Sequence, residues 1–197
     1  NKADLNETDE WWLIEKKLLK NSRNIGRTAL MYCARIESDQ IAYSLAQQLI
    51  ENGAKLNICD SGGLNAIMYA CLYEKHNLLK LYLNAFGEFD ILSREKQFLN
   101  SVFHLASLSQ NQQNCLLLNR AVCKKLNLSY SLVKVLKNSL GQTPLELCKL
   151  NNHLDCIKMH QTYFNRHNNS ITSETDVENK KYYELKVFNR PSIHSSS

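Results

Sequence analysis

The sequence predicts an all-α solenoid of stacked helix-turn-helix units, and three observations support this prediction. A seven-residue phrase of constant chemical pattern occurs four times, beginning at Thr28, Asn65, Ser101 and Thr143. The starts are 37, 36 and 42 residues apart (28 to 65, 65 to 101, 101 to 143), a spacing typical of units that bury their apolar faces by stacking on one another. Each phrase is followed by a second apolar stretch. We expect second helices at Ile41–Glu51, Asn77–Ala85, Cys115–Leu126 and Leu154–His160.

The phrase itself has the pattern of a helix start. Its first residue is Thr, Ser or Asn, whose side-chain oxygen can accept a hydrogen bond from an unpaired backbone N–H. Pro144 occupies the first helical position, where a missing N–H does no harm. Each phrase places an apolar residue third and ends on small residues, as expected where helices pack closely. Gly26, Gly63 and Gly141 precede three copies and are expected to adopt a positive φ, whereas Leu99 takes that position in the third copy.

At these residues the chain resembles the ankyrin repeat family, whose signature is G-x-T-P-L-H-x-A-A, a G-H turn, a second helix and G-A-D-x-N. The closing part is clearest at residues 52–57, His104 is the one copy of the signature His, and Asn152-His153 takes the G-H position. The resemblance covers residues 23–162. It implies an ankyrin-repeat solenoid with repeats at about 23–59, 60–94, 95–137 and 138–162, and a module that binds another protein.

Composition agrees with one repeat domain, which we expect to be a monomer. The chain has 197 residues, of which 44% are hydrophobic and 22% charged, enough to form one elongated core. It contains no apolar run of about 18 residues, so we expect no membrane-spanning helix. It shows no signal-peptide pattern. Because the first residue is Asn1 rather than Met, we expect the sequence to be a fragment of a longer protein.

The seven cysteines are expected to be thiols. Cys33, Cys71 and Cys148 fall in the small-residue pair of the phrase, where a thiol acts as a small apolar group. Cys59 falls at a hairpin and is expected to be exposed. Buried thiols favour the cytoplasm or the nucleus as the location.

One cluster of cysteines and histidines has the residue types of a zinc site. Cys148, His153, Cys156 and His160 lie within 13 residues, and two of them share a helical face. The repeat positions of these residues account for them, and the closely spaced ligand pairs of structural zinc sites are missing. We therefore expect no metal and no cofactor.

The sequence also indicates a protein that is not an enzyme. It lacks the G-x-S-x-G, phosphate-loop and H-E-x-x-H motifs. One alternative is a regulatory segment of a larger enzyme whose catalytic domain lies outside this chain. Another is nucleic-acid binding, for which the net charge of +5 is suggestive without being extreme. The basic residues are interrupted by core positions, so a solvated helix face explains them better.

The predicted binding surface consists of the hairpin tips and the concave face made by the first helices. Several positions there are apolar, and an exposed group of this kind marks an interaction site. The alternative is that some of them pack under loops. Tyr73 is the preferred anchor, because tyrosine is enriched among residues that dominate binding. The candidate partner-binding residues are Arg35, Ile36, Leu64, Leu72, Tyr73, Phe98 and Leu108.

The two flanks of the repeats differ in kind. Residues 1–22 are expected to form an N-terminal capping helix, with Thr8 at its start and Trp11 and Trp12 on its apolar stripe; the alternative makes both tryptophans a partner anchor. Residues 163–197 are polar and are expected to be a flexible tail. Two insertions are expected, Glu37–Gln40 in the first inter-helix turn and Asn127–Asn138 between repeats three and four.

Overall fold

The computed structural model describes residues 26–85, 93–126, 136–159 and 161. Within these ranges the regular structure is helical, apart from one isolated antiparallel bridge between Arg94 and Ser101. The helices are short in the first position of each repeat and longer in the second. They are α1 (Ala29–Cys33), α2 (Asp39–Glu51), α3 (Ala66–Leu72), α4 (His76–Ala85), α5 (Val102–Leu108), α6 (Gln112–Leu126) and α7 (Pro144–Leu150), followed by helical residues 154–159.

The helices form two layers. The first helices α1, α3, α5 and α7 contact one another in sequence order, and the second helices α2, α4 and α6 do the same. Within a repeat, the first helix also packs on the second. This arrangement is an all-α ankyrin-type solenoid, so the predicted fold class is confirmed. The predicted second helices are confirmed too, although α2, α4 and α6 begin one to three residues earlier than predicted.

One apolar core runs through the stack between the two layers. It contains the third residue of the first three phrases, Leu30, Ile67 and Phe103, and the small residues that close the phrases. Tyr82 lies in the same core, and its hydroxyl donates to the backbone oxygen of Leu30 in the preceding repeat at 2.7 Å. Each repeat is therefore stabilised mainly by its neighbours, as expected of a solenoid.

The predicted side-chain caps form at α3 and α7, whereas the hydroxyls of Thr28 and Ser101 make no such cap hydrogen bond at α1 and α5. The Asn65 side-chain oxygen accepts from the Met68 N–H at 3.0 Å. Thr143 and Glu146 cap α7 reciprocally: the Glu146 N–H donates to Thr143 Oγ1, and the Thr143 N–H donates to the Glu146 carboxylate at 2.7 Å. Such capping of otherwise unpaired N–H groups stabilises a short helix by about 1 kcal/mol.

The residue two positions before each phrase has a left-handed backbone conformation. Gly26, Gly63 and Gly141 have φ values of 85°, 80° and 74°, and Leu99 has the same left-handed conformation at 56°. The predicted positive φ at the glycines is therefore confirmed, and the third repeat keeps the turn without a glycine. A methyl group at Gly63 would lie 2.9 Å from the Arg94 backbone oxygen. This turn therefore also requires a residue without a side chain.

The predicted insertion at Glu37–Gln40 is wrong. Ser38 caps α2, with its hydroxyl accepting from the Ile41 N–H, and Asp39 is already helical. The second helices of the other repeats begin at the same distance from their phrases, so the inter-helix turn has one length throughout. Most of the second predicted insertion lies outside the described residues, as do the predicted capping helix and the predicted tail.

Candidate partner-binding surface

A row of exposed leucines runs along the ends of three first helices. Leu72, Leu108 and Leu150 occupy the same position in α3, α5 and α7, and their side chains are between 44% and 67% exposed. Because neighbouring helices pack about 8–10 Å apart, these side chains form a continuous apolar row across the stack. The position of Leu150 belongs to the surface predicted from the repeats, but Leu150 itself was not selected as a candidate partner-binding residue.

Tyr73 follows Leu72 directly, at the C-terminal end of α3. Its exposed ring stacks on Tyr69, with ring centroids 6.1 Å apart and planes 7° from parallel. Tyr69 is held in turn by Arg27, whose Nε donates to the Tyr69 hydroxyl at 2.8 Å, and the hydroxyl donates to the buried Asp60 carboxylate at 2.8 Å. A rigidly supported, exposed aromatic ring loses little conformational entropy on binding, which favours Tyr73 as an anchor.

The first repeat contributes a cation instead of a leucine. Arg35 occupies the position equivalent to Leu72 and is exposed, and its guanidinium lies 5.8 Å from the ring centre of Tyr32. Ile36, the next residue, is half-buried. The N-terminal end of the row is therefore more polar than the rest.

The third hairpin carries an exposed apolar tip. Phe98 and Leu99 are both exposed, while the backbone beneath them is fixed. The Glu95 carboxylate accepts from the Gln97, Phe98 and Asn100 N–H groups at 2.6–3.0 Å. The Phe98 oxygen accepts from the Ser139 N–H at 2.7 Å and so joins this hairpin to the next. Phe98 was predicted here, whereas Leu99 was seen only as a replaced glycine.

Leu64 does not belong to the surface, so its predicted exposure is wrong. Its side chain is 8% exposed and packs in the core. The reason is the hairpin: the Leu64 N–H donates to the Asp60 carboxylate, and the Leu64 oxygen accepts from the Asp60 N–H, each at 2.9 Å. This pairing turns the side chain inward, directly before the Asn65 cap.

Exposed cations lie beside the apolar tip. Lys96 and Lys137 are exposed on the third and fourth hairpins. Arg94 donates from its guanidinium to the backbone oxygens of Lys137 and Leu99. Glu95 is buried under its own hairpin, whereas Glu146, whose charge interacts with that of Lys137, is exposed. An apolar surface flanked by cations fits a partner with apolar and acidic side chains.

His104 joins the third repeat to the fourth. The Ser101 N–H donates to His104 Nδ1 at 3.1 Å, so Nδ1 is unprotonated and Nε2–H donates to the Gln142 backbone oxygen at 3.0 Å. Burial lowers the pKa of His104 to about 4, so the ring is neutral at pH 7. The side chain aligns the hairpin of Gln142 with that of the third repeat.

Three buried thiols meet between repeats three and four. The sulfurs of Cys115, Cys148 and Cys156 all lie within 4.8 Å of one another, and those of Cys115 and Cys148 are 3.6 Å apart. Hydrogen bonds from Cys148 and Cys156, together with burial, raise the pKa of Cys115, so this thiol is protonated. The zinc hypothesis placed His153 with Cys148 and Cys156, but the third member of this cluster is Cys115. Cys115 lies 33 residues from Cys148 in the sequence, so the sequence analysis did not include it in the cluster.

Comparison with known proteins identifies the class of fold. Residues 25–61 match the family model of the ankyrin repeat, in agreement with the geometry of the first repeat. Ankyrin repeats are a non-catalytic fold that generally binds other proteins. No curated protein matches the chain significantly. In the described residues, no helix is both long and apolar enough to cross a membrane.

Proposed function

We propose that this chain is a non-catalytic adaptor or scaffold module that binds a partner protein through its hairpin tips and concave first-helix face. One observation carries the proposal: Leu72, Leu108 and Leu150 are exposed at the same position of three successive repeats. Apolar groups that stay in water at three related positions contribute nothing to the stability of the fold. Contiguous apolar surface of this kind marks interaction sites.

The binding mode follows from the rigidity of the surface. Tyr73 is stacked on Tyr69, and the backbone of Phe98 is hydrogen bonded on both sides. Little ordering is then needed on binding, which raises affinity for a given buried area. Tyr73 and Phe98 are the aromatic anchors, Leu72 and Leu108 complete the apolar row, and Arg35 and Ile36 form its N-terminal end.

The partner is a protein with an apolar and acidic surface. Lys96 and Lys137 border the tip of the third hairpin and would attract acidic side chains, increasing the association rate. The module works as a monomer without a metal or cofactor. We place it in the cytoplasm or nucleus, because Cys115 and Cys148 are packed in the core as thiols.

A pull-down from cell lysate tests this function. The parent chain is compared with a Tyr73→Ala, Phe98→Ala double variant and with a Tyr43→Ala control, since Tyr43 is an exposed aromatic on the second-helix layer. Circular dichroism checks that all three are folded. We expect one protein retained by the parent and the control and lost from the double variant. Equal retention by all three would rule out the surface.

Nucleic acid is the other outcome that this experiment separates. Binding through phosphate contacts falls steeply with salt concentration, whereas binding through Tyr73 and Phe98 responds far less. If the retained material is nucleic acid and is removed by moderate salt, the adaptor proposal fails. Retention of a protein in moderate salt supports it.

A further inference from the structure

The first repeat exposes an apolar face whose equivalent is buried in the later repeats. Ile41 and Leu45 in α2 are 60% and 42% exposed, whereas the equivalent residues of α4, Leu78 and Tyr82, are 2% and 0% exposed. The equivalent residues of α6 are also buried. The exposure of Ile41 and Leu45 is thus a property of being first in the stack rather than of the position.

The first helix shows the same contrast. Ala29 and Tyr32 in α1 are exposed, whereas the equivalent residues of α3, Ala66 and Tyr69, are buried. The equivalent residues of α5 and α7 are buried as well. Both layers of the first repeat therefore present apolar side chains toward the place that a preceding unit would occupy.

In the later repeats, the preceding unit covers this place directly. Helix α4 packs on α2, and Tyr82 reaches across to the Leu30 oxygen. End units of a solenoid ordinarily present a polar outer face, and Ile41 and Leu45 depart from this rule. A segment that covers this face must therefore be a helix with an apolar stripe, in the place that the second helix of a preceding repeat would occupy.

We propose that residues 8–20 of this chain form a helix that packs on this face, which we name the N-terminal face (Ala29, Tyr32, Ile41 and Leu45). The segment has the required pattern. Thr8 supplies the cap, Asp9 and Glu10 lie in the first turn, and an apolar stripe follows. That stripe consists of Trp11, Trp12, Ile14, Leu18 and Leu19.

The connection to the stack is long enough. Residues 21–28 separate the segment from α1, and eight residues can span at most about 26 Å. Neighbouring packed helices need only about 8–10 Å between their axes. A short link also gives a high effective concentration, so this segment reaches the face before a free partner of equal affinity does.

The charges are complementary as well. Helix α2 contains the acids Asp39 and Glu51 and no lysine or arginine. The segment contains Lys16, Lys17 and Lys20 toward its end. Second helices in adjacent repeats run in the same direction, so these lysines would lie nearest to the exposed Glu51 end of α2. Such a pairing adds little free energy at the surface but fixes the orientation of the helix.

Tryptophan fluorescence tests the packing without a binding partner. Both tryptophans of the chain lie in the segment, so indole emission reports on it alone. In the parent chain we expect blue-shifted emission and acrylamide quenching several-fold weaker than that of free tryptophan. An Ile41→Lys, Leu45→Lys double variant should shift the emission to that of solvated indole. The matched control is Leu72→Lys, Leu108→Lys, which should leave the emission unchanged.

Each other outcome overturns the proposal. Solvated indole in the parent, or unchanged emission in the Ile41→Lys, Leu45→Lys variant, means that the segment does not cover the face. A parent that sediments as a dimer, with blue-shifted emission lost on dilution, means that a second copy covers it. If circular dichroism shows that the Ile41→Lys, Leu45→Lys variant is unfolded, a Trp11→Ala, Trp12→Ala variant is measured by hydrogen exchange instead. The α2 amides should then exchange several-fold faster than in the parent, and unchanged exchange contradicts the proposal.

Discussion

The second and third hairpins are closed in a similar way but differ in length and in residues. The Asp60 N–H donates to the Leu64 oxygen in the second, and the Glu95 N–H donates to the Asn100 oxygen in the third, which is one residue longer. Both close around a buried carboxylate, Asp60 in one and Glu95 in the other, which accepts backbone N–H groups of its own hairpin. The left-handed position is Gly63 in the second hairpin and Leu99 in the third. The second hairpin thus uses the residue that fits the backbone, whereas the third uses one that strains it.

This difference indicates that the third hairpin is less stable than the second and exposes apolar side chains instead. A residue other than glycine costs about 1–2 kcal/mol in the left-handed conformation, and Leu99 in addition exposes its side chain beside Phe98. Strain of this kind persists mainly at functional positions. The second hairpin, by contrast, turns Leu64 into the core. The comparison therefore agrees with a structural role for the second hairpin and with the binding role that we propose for the tip of the third.

The largest expected effect comes from forcing the second hairpin to resemble the third. Gly63→Ala adds a side chain at a φ of 80° and within 2.9 Å of the Arg94 oxygen. We expect it to lower the free energy of unfolding by about 3 kcal/mol, the sum of backbone strain and overpacking. Urea denaturation measures this change. The control is Gly141→Ala, where φ is 74° but the space is open, with an expected loss of about 1 kcal/mol. Equal losses would contradict the importance of the close contact.

The next effect concerns the neutral His104 that joins the third repeat to the fourth. Its pKa of about 4 in the folded chain lies below the ordinary value of 6.5, so the unfolded chain binds more protons between these pH values. Stability is then full above pH 6.5 and is lost as the pH falls toward 4. We expect a loss of about 2 kcal/mol between pH 6.5 and 5. Urea denaturation at both pH values tests it.

The matched variant for this test is His104→Met, since Met31 and Met68 occupy the same position in repeats one and two. It removes the titrating group but keeps an apolar side chain of similar size. The variant should show a smaller loss of stability on acidification than the parent chain, by about the same 2 kcal/mol. An identical pH dependence in both proteins would mean that other groups cause the loss.

The smallest effect is a gain. Leu99→Gly makes the third hairpin resemble the second and removes the strain at a φ of 56°. Because glycine also increases the entropy of the unfolded chain, we expect the free energy of unfolding to rise by no more than about 1 kcal/mol. Partner retention in the pull-down should fall at the same time. A variant that is more stable and binds equally well would separate the strain from binding.

The repeat pattern in the sequence predicted most of the fold, because each phrase position has one physical role in a stack. It predicted the small buried residues at the helix contacts and the positive φ at the three turn glycines. It did not predict the direction of Leu64, which depends on hydrogen bonds within one hairpin. It also missed the contact of Cys115 with Cys148, because only the stacking of the fourth repeat on the third brings these residues together. For the binding surface, six of the seven predicted positions are exposed or half-buried.

The most direct test of partner binding is photo-crosslinking in cells. A photoreactive amino acid replaces Phe98 or Tyr73 in the full chain, and in a control it replaces Tyr43 on the second-helix layer. We expect one protein adduct from positions 98 and 73, absent at 43, that excess parent chain displaces and excess Tyr73→Ala, Phe98→Ala variant does not. An adduct of equal yield at position 43, or equal displacement by the variant, would contradict recognition through this surface.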